Sequence, residues 1–245
     1  MYKYELHMHT SEGSLCGKST GAGMAEYYIA HGYSGAVISD HFYHGNTAPS
    51  RDLSWQDYVN EYARGYYAFR EAVGNRDFDC FFGVEERLDG WDEYIFLGLE
   101  PEWYAAHPEL RDMKGAEYLD TIRTHGGFVI HAHPFRDRAY MKNLEILLSP
   151  NRVDAVEVRN CGNPPETDRL GYEYALEHDL PMTGGSDNHV ASAEEKPLSG
   201  ILLPHRCHTV QQLIDAIRSK KQQVIDLECV LAADITEPTA PIRIF

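Results

Sequence analysis

The sequence predicts an α/β fold, either a barrel or a doubly wound sheet, and three features support this prediction. The 245 residues can bury a large core, and α/β barrels commonly have this length. Short apolar runs rich in β-branched and aromatic residues alternate with longer segments whose apolar residues recur every three or four positions. Strands that alternate with helices in this way usually pair in parallel, with the helices outside. Because no low-complexity linker divides the chain, we expect one domain over residues 1–245.

The predicted strands are short. The first covers Tyr2–His9 (YKYELHMH), where alternation places His7 and His9 on one face together with Glu5. The later strands follow in order at Ala36–Ser39, Cys80–Val84, Tyr94–Leu99, Phe128–Ala132, Ala155–Arg159 and Pro181–Thr183.

Helical periodicity occupies the segments between the strands. Each segment has apolar residues at the three- and four-residue spacing that gives a helix one apolar face. The predicted helices are Ala22–His31, Trp55–Val73, Lys114–His125, Met141–Leu148, Glu166–His178 and Thr209–Ser219.

Composition and charge exclude several classes of function. A formal net charge of -16 opposes binding to a nucleic-acid backbone, which needs a basic surface, so we expect no nucleic-acid partner. There is no run of 18 apolar residues and no apolar signal core at the N-terminus, which predicts a cytoplasmic protein without a membrane partner. The five cysteines include no C-x-x-C pair, which indicates reduced thiols. Nothing in the sequence indicates the oligomeric state.

The segment HMHTSEGSLCGKST, residues His7–Thr20, suggests both a phosphate-binding P-loop and a metal site. A P-loop needs a glycine five residues before Gly17, with four residues between the two glycines, and that position holds Glu12. A carboxylate there would repel the phosphate that the loop has to bind. The segment is therefore not a P-loop, and the HMH pair remains as the candidate for metal binding.

Residues that commonly bind metals follow one predicted strand after another. The carboxyl ends of the strands form the mouth of an α/β barrel, where such enzymes build their sites. A metal site at this mouth is predicted from the residues at six strand ends: His7, His9, Asp40, His41, Glu85, His133, Glu157, Asp187 and His189.

These motifs resemble the PHP (polymerase and histidinol phosphatase) superfamily of metal-dependent phosphoesterases. The resemblance spans about four-fifths of the chain in order, through HMH (7–9), SDH (39–41), GVE (83–85), AHP (132–134) and SDNH (186–189). It implies a distorted (β/α)7 barrel with the metal site at the C-terminal ends of the strands. It also implies two or three divalent metal ions, commonly zinc, manganese, iron or magnesium.

The resemblance further implies a role for each motif residue. One ion would be held by His7, His9, Glu85 and Asp187. Glu85 would bridge to a second ion that His133 completes, and His41 and His189 would hold the remaining positions. Asp187 and His189 are also the expected catalytic residues. Apart from the resemblance, Arg136 and Lys18 are the expected substrate-binding residues, because their cations can bind a phosphate; a surface salt bridge with Asp137 is the alternative for Arg136. We expect His131 to orient a ligand without binding a metal itself, and for Glu157 two roles stay open: orienting a ligand, or a strand-end charge that faces Arg159.

The chain departs from the family pattern at two places. The family usually has an Asp or His five to seven residues after the second histidine, where this chain has Ser14, Leu15 and Cys16. Glu12, three residues after His9, is the nearest carboxylate that could replace it. The family also often has a further histidine after the G-x-E, whereas residues 90–103 offer only carboxylates. Two metal ions are therefore expected rather than three.

The expected reaction is hydrolysis of a phosphate ester of a small phosphorylated metabolite. Two adjacent cations lower the pKa of a bound water molecule and neutralise charge that develops on the phosphoryl oxygens. Such cations would also reverse the repulsion between this acidic chain and a phosphate. Two alternatives remain open from the sequence: a metal-dependent amidohydrolase, and a non-catalytic metal-binding regulatory domain.

Overall fold

The structure is a computed structural model that describes residues 1–88, 90, 92–137, 145–192 and 197–244. The strands are β1 (Tyr2–Glu5), β2 (Gly35–Ile38), β3 (Asp79–Leu88), β4 (Asp92–Leu97), β5 (Phe128–Ala132), β6 (Ile146–Leu148), β7 (Ala155–Asn160), β8 (Met182–Gly185), β9 (Ile201–Leu203), β10 (Gln223–Val224) and β11 (Ile242–Ile244). The helices are α1 (Gly21–Ala30), α2 (Trp55–Tyr62), α3 (Arg64–Val73), α4 (Pro101–Ala105), α5 (Gly115–Thr124), α6 (Pro165–Glu177), α7 (Val210–Arg218) and α8 (Leu227–Ala232), with a 3-10 turn at Pro108–Arg111.

Nine of these strands form one sheet that curves into a nearly closed barrel. Its order is β10-β9-β1-β2-β3-β4-β5-β7-β8, and the two ends of the order meet where β8 approaches β9 and β10. Strands β6 and β11 pair with each other in a separate small sheet. The predicted α/β barrel fold is confirmed.

The barrel mixes parallel and antiparallel pairs, where the strand–helix alternation had predicted parallel ones. Pairs β1–β2, β2–β3, β5–β7 and β7–β8 are parallel, whereas β4 runs antiparallel to both of its neighbours. Only residues 89–91 separate β3 from β4, which is too short for the crossover that a parallel pair needs. Because β4 is reversed, its first residues lie beside the C-terminal ends of β3 and β5.

Most predicted elements occur within a few residues of their predicted bounds, and three predictions were wrong or incomplete. The predicted helix Trp55–Val73 is two helices, α2 and α3, that meet at Ala63. Of the predicted helix Met141–Leu148, residues 141–144 lie outside the described residues, and 146–148 form β6. Strands β9 and β10 were not predicted. Across the described ranges, none of the helices is long and apolar enough to span a membrane.

An aromatic cluster outside the sheet fixes the loop that follows β2. The ring of Phe42 contacts Trp55 and Tyr58 of α2 at centroid distances of 5.6 and 5.4 Å, and Tyr62 at 4.8 Å. The Tyr62 hydroxyl donates a hydrogen bond to the carbonyl oxygen of Asp40 at 2.5 Å. The tyrosine-rich helices are therefore core elements, and they hold the backbone on both sides of His41.

Candidate metal centre

The barrel mouth brings together the motif residues that lie far apart in the sequence. Their side chains are buried, except that His189 is about one-third exposed. The residues that converge are His7, His9, His41, Glu85, His133, Asp187 and His189. All seven predicted ligands thus lie at one site.

Backbone hydrogen bonds continue the strand pairing past the strand ends and fix these side chains in position. The Asp187 N–H donates to the His7 carbonyl at 2.8 Å, and the His9 N–H donates to the Asn188 carbonyl at 2.9 Å. Where β2 and β3 meet the mouth, the Glu85 N–H donates to the Asp40 carbonyl at 2.9 Å. The HMH motif is therefore held against the SDNH motif, and the SDH motif is held against the GVE motif.

Glu85 lies at the centre of the cluster. Its Oε1 is 3.1 Å from His7 Nε2 and 3.2 Å from His133 Nε2. Its Oε2 is 2.7 Å from His41 Nδ1 and 3.4 Å from His9 Nε2. Each carboxylate oxygen therefore faces a different pair of imidazoles, which is the arrangement expected of a carboxylate that bridges two cations.

Asp187 forms the opposite wall of the cluster. Its Oδ1 lies 3.0 Å from His9 Nε2 and 3.5 Å from His7 Nε2, while its Oδ2 accepts a hydrogen bond from the Arg136 guanidinium. Asp187 has a φ of 50°, and His133 has a φ of 29°. Residues other than glycine rarely adopt positive φ, and such strained positions concentrate at functional sites.

Two buried carboxylates orient the histidines of the HMH motif. Glu157 Oε1 is 3.0 Å from His7 Nδ1, which turns His7 Nε2 toward Glu85. Ser14 Oγ lies 3.2 Å from His9 Nδ1 and donates to Asp40 Oδ1 at 2.6 Å. Histidine ligands of metals typically have such a partner on the second ring nitrogen. The placement of Glu157 agrees with the predicted orienting role.

The cluster fits divalent metal ions. Among the described residues, His7 Nε2, His41 Nδ1 and Glu85 Oε2 are buried and make no hydrogen bond, although they face other polar atoms of the cluster. Buried polar atoms are normally hydrogen-bonded, so their convergence indicates that their lone pairs serve another purpose. Imidazole and carboxylate are ligands for zinc, iron and manganese.

The charges of the cluster shift the pKa values of its members strongly. Burial would raise the pKa of Glu85, but the adjacent charges of His41 and His7 hold it well below the usual range. Burial likewise opposes ionisation of Asp187, whose pKa is held low by Arg136 and His7. Burial would lower the pKa of His7, but the charges of Glu157 and Glu85 raise it well above its usual value. The carboxylates are thus kept ionised, the form in which they bind metal.

Two further residues reach the cluster at the places where the chain departs from the family pattern. Glu93, at the start of β4, has Oε2 3.6 Å from His133 Nε2 and Oε1 3.8 Å from His41 Nδ1. The Cys16 sulfur lies within 4.8 Å of ligand atoms of His9, His41 and His189. Burial would raise the pKa of the Cys16 thiol, but hydrogen bonds with His189 and His41 lower it to about 6.

Sequence reasoning missed both residues. The signal for Glu93 was its short distance in sequence from the end of β3, because a strand that follows so short a connection runs antiparallel and begins at the mouth. The signal for Cys16 was its seven-residue distance from His9, where the family pattern has an oxygen or nitrogen ligand.

The remaining candidates lie at the edges of the site. Arg136 is largely buried, and its guanidinium donates to Asn163 Oδ1 and Asn160 Oδ1 at 3.0 and 3.1 Å as well as to Asp187. Lys18 is exposed, and its backbone N–H donates to the His189 carbonyl at 2.7 Å, so it lies on the rim.

Two polar residues near the motifs have structural partners elsewhere. Glu12 accepts a hydrogen bond from the Gly21 N–H at the start of α1, at 3.1 and 3.2 Å from its two oxygens. That contact assigns Glu12 to the helix N-terminus, where a carboxylate is favourable, rather than to the metal cluster. His131 lies 3.4 Å from Asp92 Oδ1 and stacks on Tyr94, so it does not orient a cluster ligand as predicted.

No protein-family model matches this sequence, and no curated protein sequence matches it either. Solved structures do resemble its fold. One is a two-domain protein from Bacteroides vulgatus that contains a predicted PHP-like metal-dependent phosphoesterase, with a TM-score of 0.67 and 15% identity. That match covers 91% of this chain and 64% of the Bacteroides protein.

Two further structures share the fold over most of this chain. A proposed metal-dependent phosphoesterase from Bifidobacterium adolescentis has a TM-score of 0.55 and 16% identity, covering 88% of this chain and 96% of that protein. Endonuclease Q, in complex with a DNA duplex that has an abasic lesion at the active site, has a TM-score of 0.57 and 10% identity. That match covers 89% of this chain and 56% of the endonuclease chain. The chain therefore has the fold of the PHP-like metal-dependent phosphoesterases, as its motifs predict.

Proposed function

We propose that this protein hydrolyses phosphate esters of small phosphorylated metabolites and that it uses two or three divalent metal ions. One observation carries this proposal: the seven motif residues converge around Glu85, whose two oxygens face separate pairs of imidazoles. Divalent ions held there would activate a water molecule and neutralise charge on the phosphoryl group. The metals considered are zinc, manganese, iron and magnesium.

The proposed ligands divide between ions around this bridge. His7, His9 and Asp187 would share the first ion with Glu85, and His133 would complete the second ion. His41 and His189 border the remaining space. Glu157 would fix the tautomer of His7, because its Oε1 accepts the Nδ1 proton and leaves Nε2 as the ligand atom.

Asp187 and His189 are the proposed catalytic residues: Asp187 is buried in the cluster, and His189 lies where the cluster opens to solvent. His189 is the most exposed of the seven residues, with 32% of its side chain accessible, and it packs against His9 with ring centroids 4.5 Å apart. Its Nδ1 lies 2.7 Å from the Asp187 carbonyl oxygen, a position that fixes the ring. His189 is thus placed to pass a proton between solvent and a substrate at the mouth.

Arg136 and Lys18 are the proposed substrate-binding residues. Arg136 contacts Asp187 through its guanidinium, so it can bind a phosphate oxygen only at the edge of the cluster nearest Asp187. Lys18 lies on the rim next to His189, where an exposed ammonium can attract an anion. These two cations favour an anionic substrate at the mouth of a chain whose formal net charge is -16.

The test combines metal analysis with a substrate screen. We expect the purified or reconstituted protein to contain at least two divalent ions per chain and to release phosphate from some member of a panel of sugar, nucleotide and amino-alcohol phosphates. Less than one ion per chain after reconstitution would overturn the proposal.

The same screen separates this function from the alternatives. Amide substrates test the amidohydrolase reading, and duplex DNA with an abasic site tests a nucleic-acid substrate, which the net charge opposes. Full metal occupancy without turnover of any substrate would favour a regulatory metal-binding domain.

A further inference from the structure

The part of the cluster nearest α1 differs chemically from the rest. There, the Cys16 sulfur and one ring nitrogen each of His9, His41 and His189 lie within 4.8 Å of one another. The rings of His41 and His189 stack on His9 with centroid distances of 4.4 and 4.5 Å. The group therefore offers one sulfur and three nitrogens, and no carboxylate of the described residues belongs to it.

The backbone holds Cys16 in place on both sides. The Leu15 N–H donates to the Asn46 carbonyl at 2.9 Å, and the Gly17 N–H donates to the Ser14 carbonyl at 3.0 Å. The Lys18 N–H, two residues past Cys16, donates to the His189 carbonyl at 2.7 Å. The loop is thus tied directly to the residue whose imidazole faces the thiol, so the approach of sulfur and nitrogen is built into the fold.

The opposite part of the cluster is rich in oxygen. Glu85, Glu93 and His41 offer ligand atoms within 4.8 Å of one another, and His133 lies 3.2 Å from Glu85 and 3.6 Å from Glu93. Glu93 is 6% exposed and is positioned by Arg87, whose Nη2 is 2.9 Å from Glu93 Oε1. Two buried carboxylates and an imidazole thus face the cluster from this side.

We propose that Cys16 is a thiolate ligand, so that, besides the ion shared by His7, His9, Asp187 and Glu85, the cluster holds two chemically different ion sites. The site formed by Cys16, His41 and His189 would take a thiophilic divalent ion such as zinc. The site formed by Glu85, Glu93 and His133 would take a harder ion such as manganese or magnesium. This inference rests on the metal-binding part of the proposed function.

The preference follows from ligand softness. Thiolate ligands select zinc over magnesium and manganese, which bind preferentially to carboxylate and water oxygens. The thiol proton leaves to solvent when the ion binds, so sulfur contributes a negative charge to a site that has no carboxylate. His41 stands between the two sites, with Nδ1 2.7 Å from Glu85 Oε2, and brings them close enough to act on one substrate.

Cobalt is the probe for the sulfur ligand. Metal-free protein titrated with Co²⁺ should develop a near-ultraviolet thiolate-to-cobalt charge-transfer band, which histidine and carboxylate ligands do not give. Cys16→Ser should abolish this band and lower zinc content by about one ion per chain. Cys229→Ser is the matched control, because Cys229 is also partly buried but lies in α8, outside the cluster. This variant should keep both the charge-transfer band and the full zinc content.

Two more measurements distinguish the loss of a metal ligand from misfolding of the Cys16→Ser variant. Cys16→Asp should restore an ion at this site without the charge-transfer band and shift its preference from zinc toward manganese. In the wild-type chain, zinc should protect Cys16, but not Cys229, from alkylation by iodoacetamide, as mapped by mass spectrometry.

A wild-type chain that binds cobalt without the band, or a Cys16→Ser variant that keeps the band, would overturn the inference. Neither result depends on phosphatase activity, so an inactive protein that shows the band would contradict the proposed function alone.

Discussion

Glu157 Oε1 accepts the Nδ1 proton of His7 across 3.0 Å, and the Nε2 of the same ring lies 3.1 Å from Glu85. One imidazole thus links a carboxylate that orients it to the carboxylate at the centre of the cluster. The second oxygen of Glu157 accepts from the His133 N–H at 3.0 Å and from Asn160 Nδ2 at 2.9 Å. Glu157 therefore fixes the positions of two proposed ligands without occupying the space between them.

This arrangement predicts different outcomes for two carboxylate-to-amide substitutions. Glu85→Gln should strip the weaker ion and reduce activity by orders of magnitude, because an amide nitrogen cannot bind a metal and the bridging charge is lost. Glu157→Gln should keep more metal and lose about 10- to 100-fold in activity, the usual effect of disturbing a partner of a ligand. Metal analysis and the pH–rate profile of both variants check these two outcomes. The pH optimum of Glu85→Gln should lie higher than that of the wild type.

The Glu157 variant carries a separate cost in stability. Both oxygens of Glu157 accept hydrogen bonds, so the amide must point its NH2 group at a donor whichever way it is turned. We expect a loss of about 1–3 kcal/mol in the free energy of unfolding.

If Glu157→Gln loses its metals while Glu85→Gln retains them, the bridge has been assigned to the wrong strand.

Asp187→Asn and His9→Ala should each lower phosphatase activity by about 100-fold or more while the protein stays folded. Asparagine tolerates the positive φ of position 187, so this variant changes charge with little backbone strain. Circular dichroism and turnover on the best substrate of the screen check both variants. Asp52→Asn and His205→Ala are the controls, because both residues are exposed. Near-normal turnover by Asp187→Asn or His9→Ala would contradict the assigned cluster.

Gly185→Ala should damage the site through crowding alone. A Cβ at this position would lie 2.3 Å from His7 Cβ and 2.5 Å from Glu157 Oε1, so His7 would have to move. We expect a loss of about 1–3 kcal/mol in the free energy of unfolding, together with reduced metal content. Gly23→Ala is the control, because its nearest neighbour would lie at 3.5 Å and alanine favours the helix. Equal behaviour of the two variants would contradict the close packing around His7.

Glu86 gives the fold a dependence on pH that is separate from catalysis. Complete burial raises its pKa from 4.5 to about 8, although the backbone N–H groups of His44 and Arg87 oppose this. Below pH 4.5 the carboxyl is protonated in both the folded and the unfolded chain. As the pH rises toward 8, only the unfolded chain releases its proton, so stability falls by up to a few kcal/mol.

Glu86→Gln should remove this part of the pH dependence and make the protein more stable than wild type near pH 8. Urea unfolding at about pH 5 and about pH 8 checks the change, with metal chelated in all samples so that ion binding does not vary. The exposed Glu102→Gln variant should follow the wild type. A wild-type chain as stable at the higher pH as at the lower one would contradict the assigned state of Glu86.

The sequence was most informative where one residue both ends a strand and carries the motif. His7, Glu85 and His133 could be placed because apolar β-rich runs lead directly into them, and the carboxyl ends of parallel strands share one edge. Cys16 and Glu93 could not be placed in the same way. Cys16 lies in a loop whose course depends on hydrogen bonds to Asn46 and His189, which no local pattern encodes.

Glu93 shows why strand direction limits such predictions. Apolar composition identifies a strand but does not give its direction, and the prediction of parallel strands put the start of β4 at the wrong end of the barrel. Likewise, Ile201–Leu203 is too short to show a period, so β9 becomes a strand through its pairing with β1. Tertiary pairing, rather than local propensity, decides both cases.

The contact between His9 and Asp187 joins residues 178 positions apart, and β1 needs β9 as its neighbour. Such distant contacts form late, because the entropy of closing a long loop has to be overcome before the contact stabilises the chain. During synthesis on the ribosome, the HMH segment and its neighbour β2 emerge well before Asp187 and β9, so the metal site stays incomplete until those late residues follow. Metal binding should therefore act as a final locking step in folding, and an ion present early would find only isolated ligands.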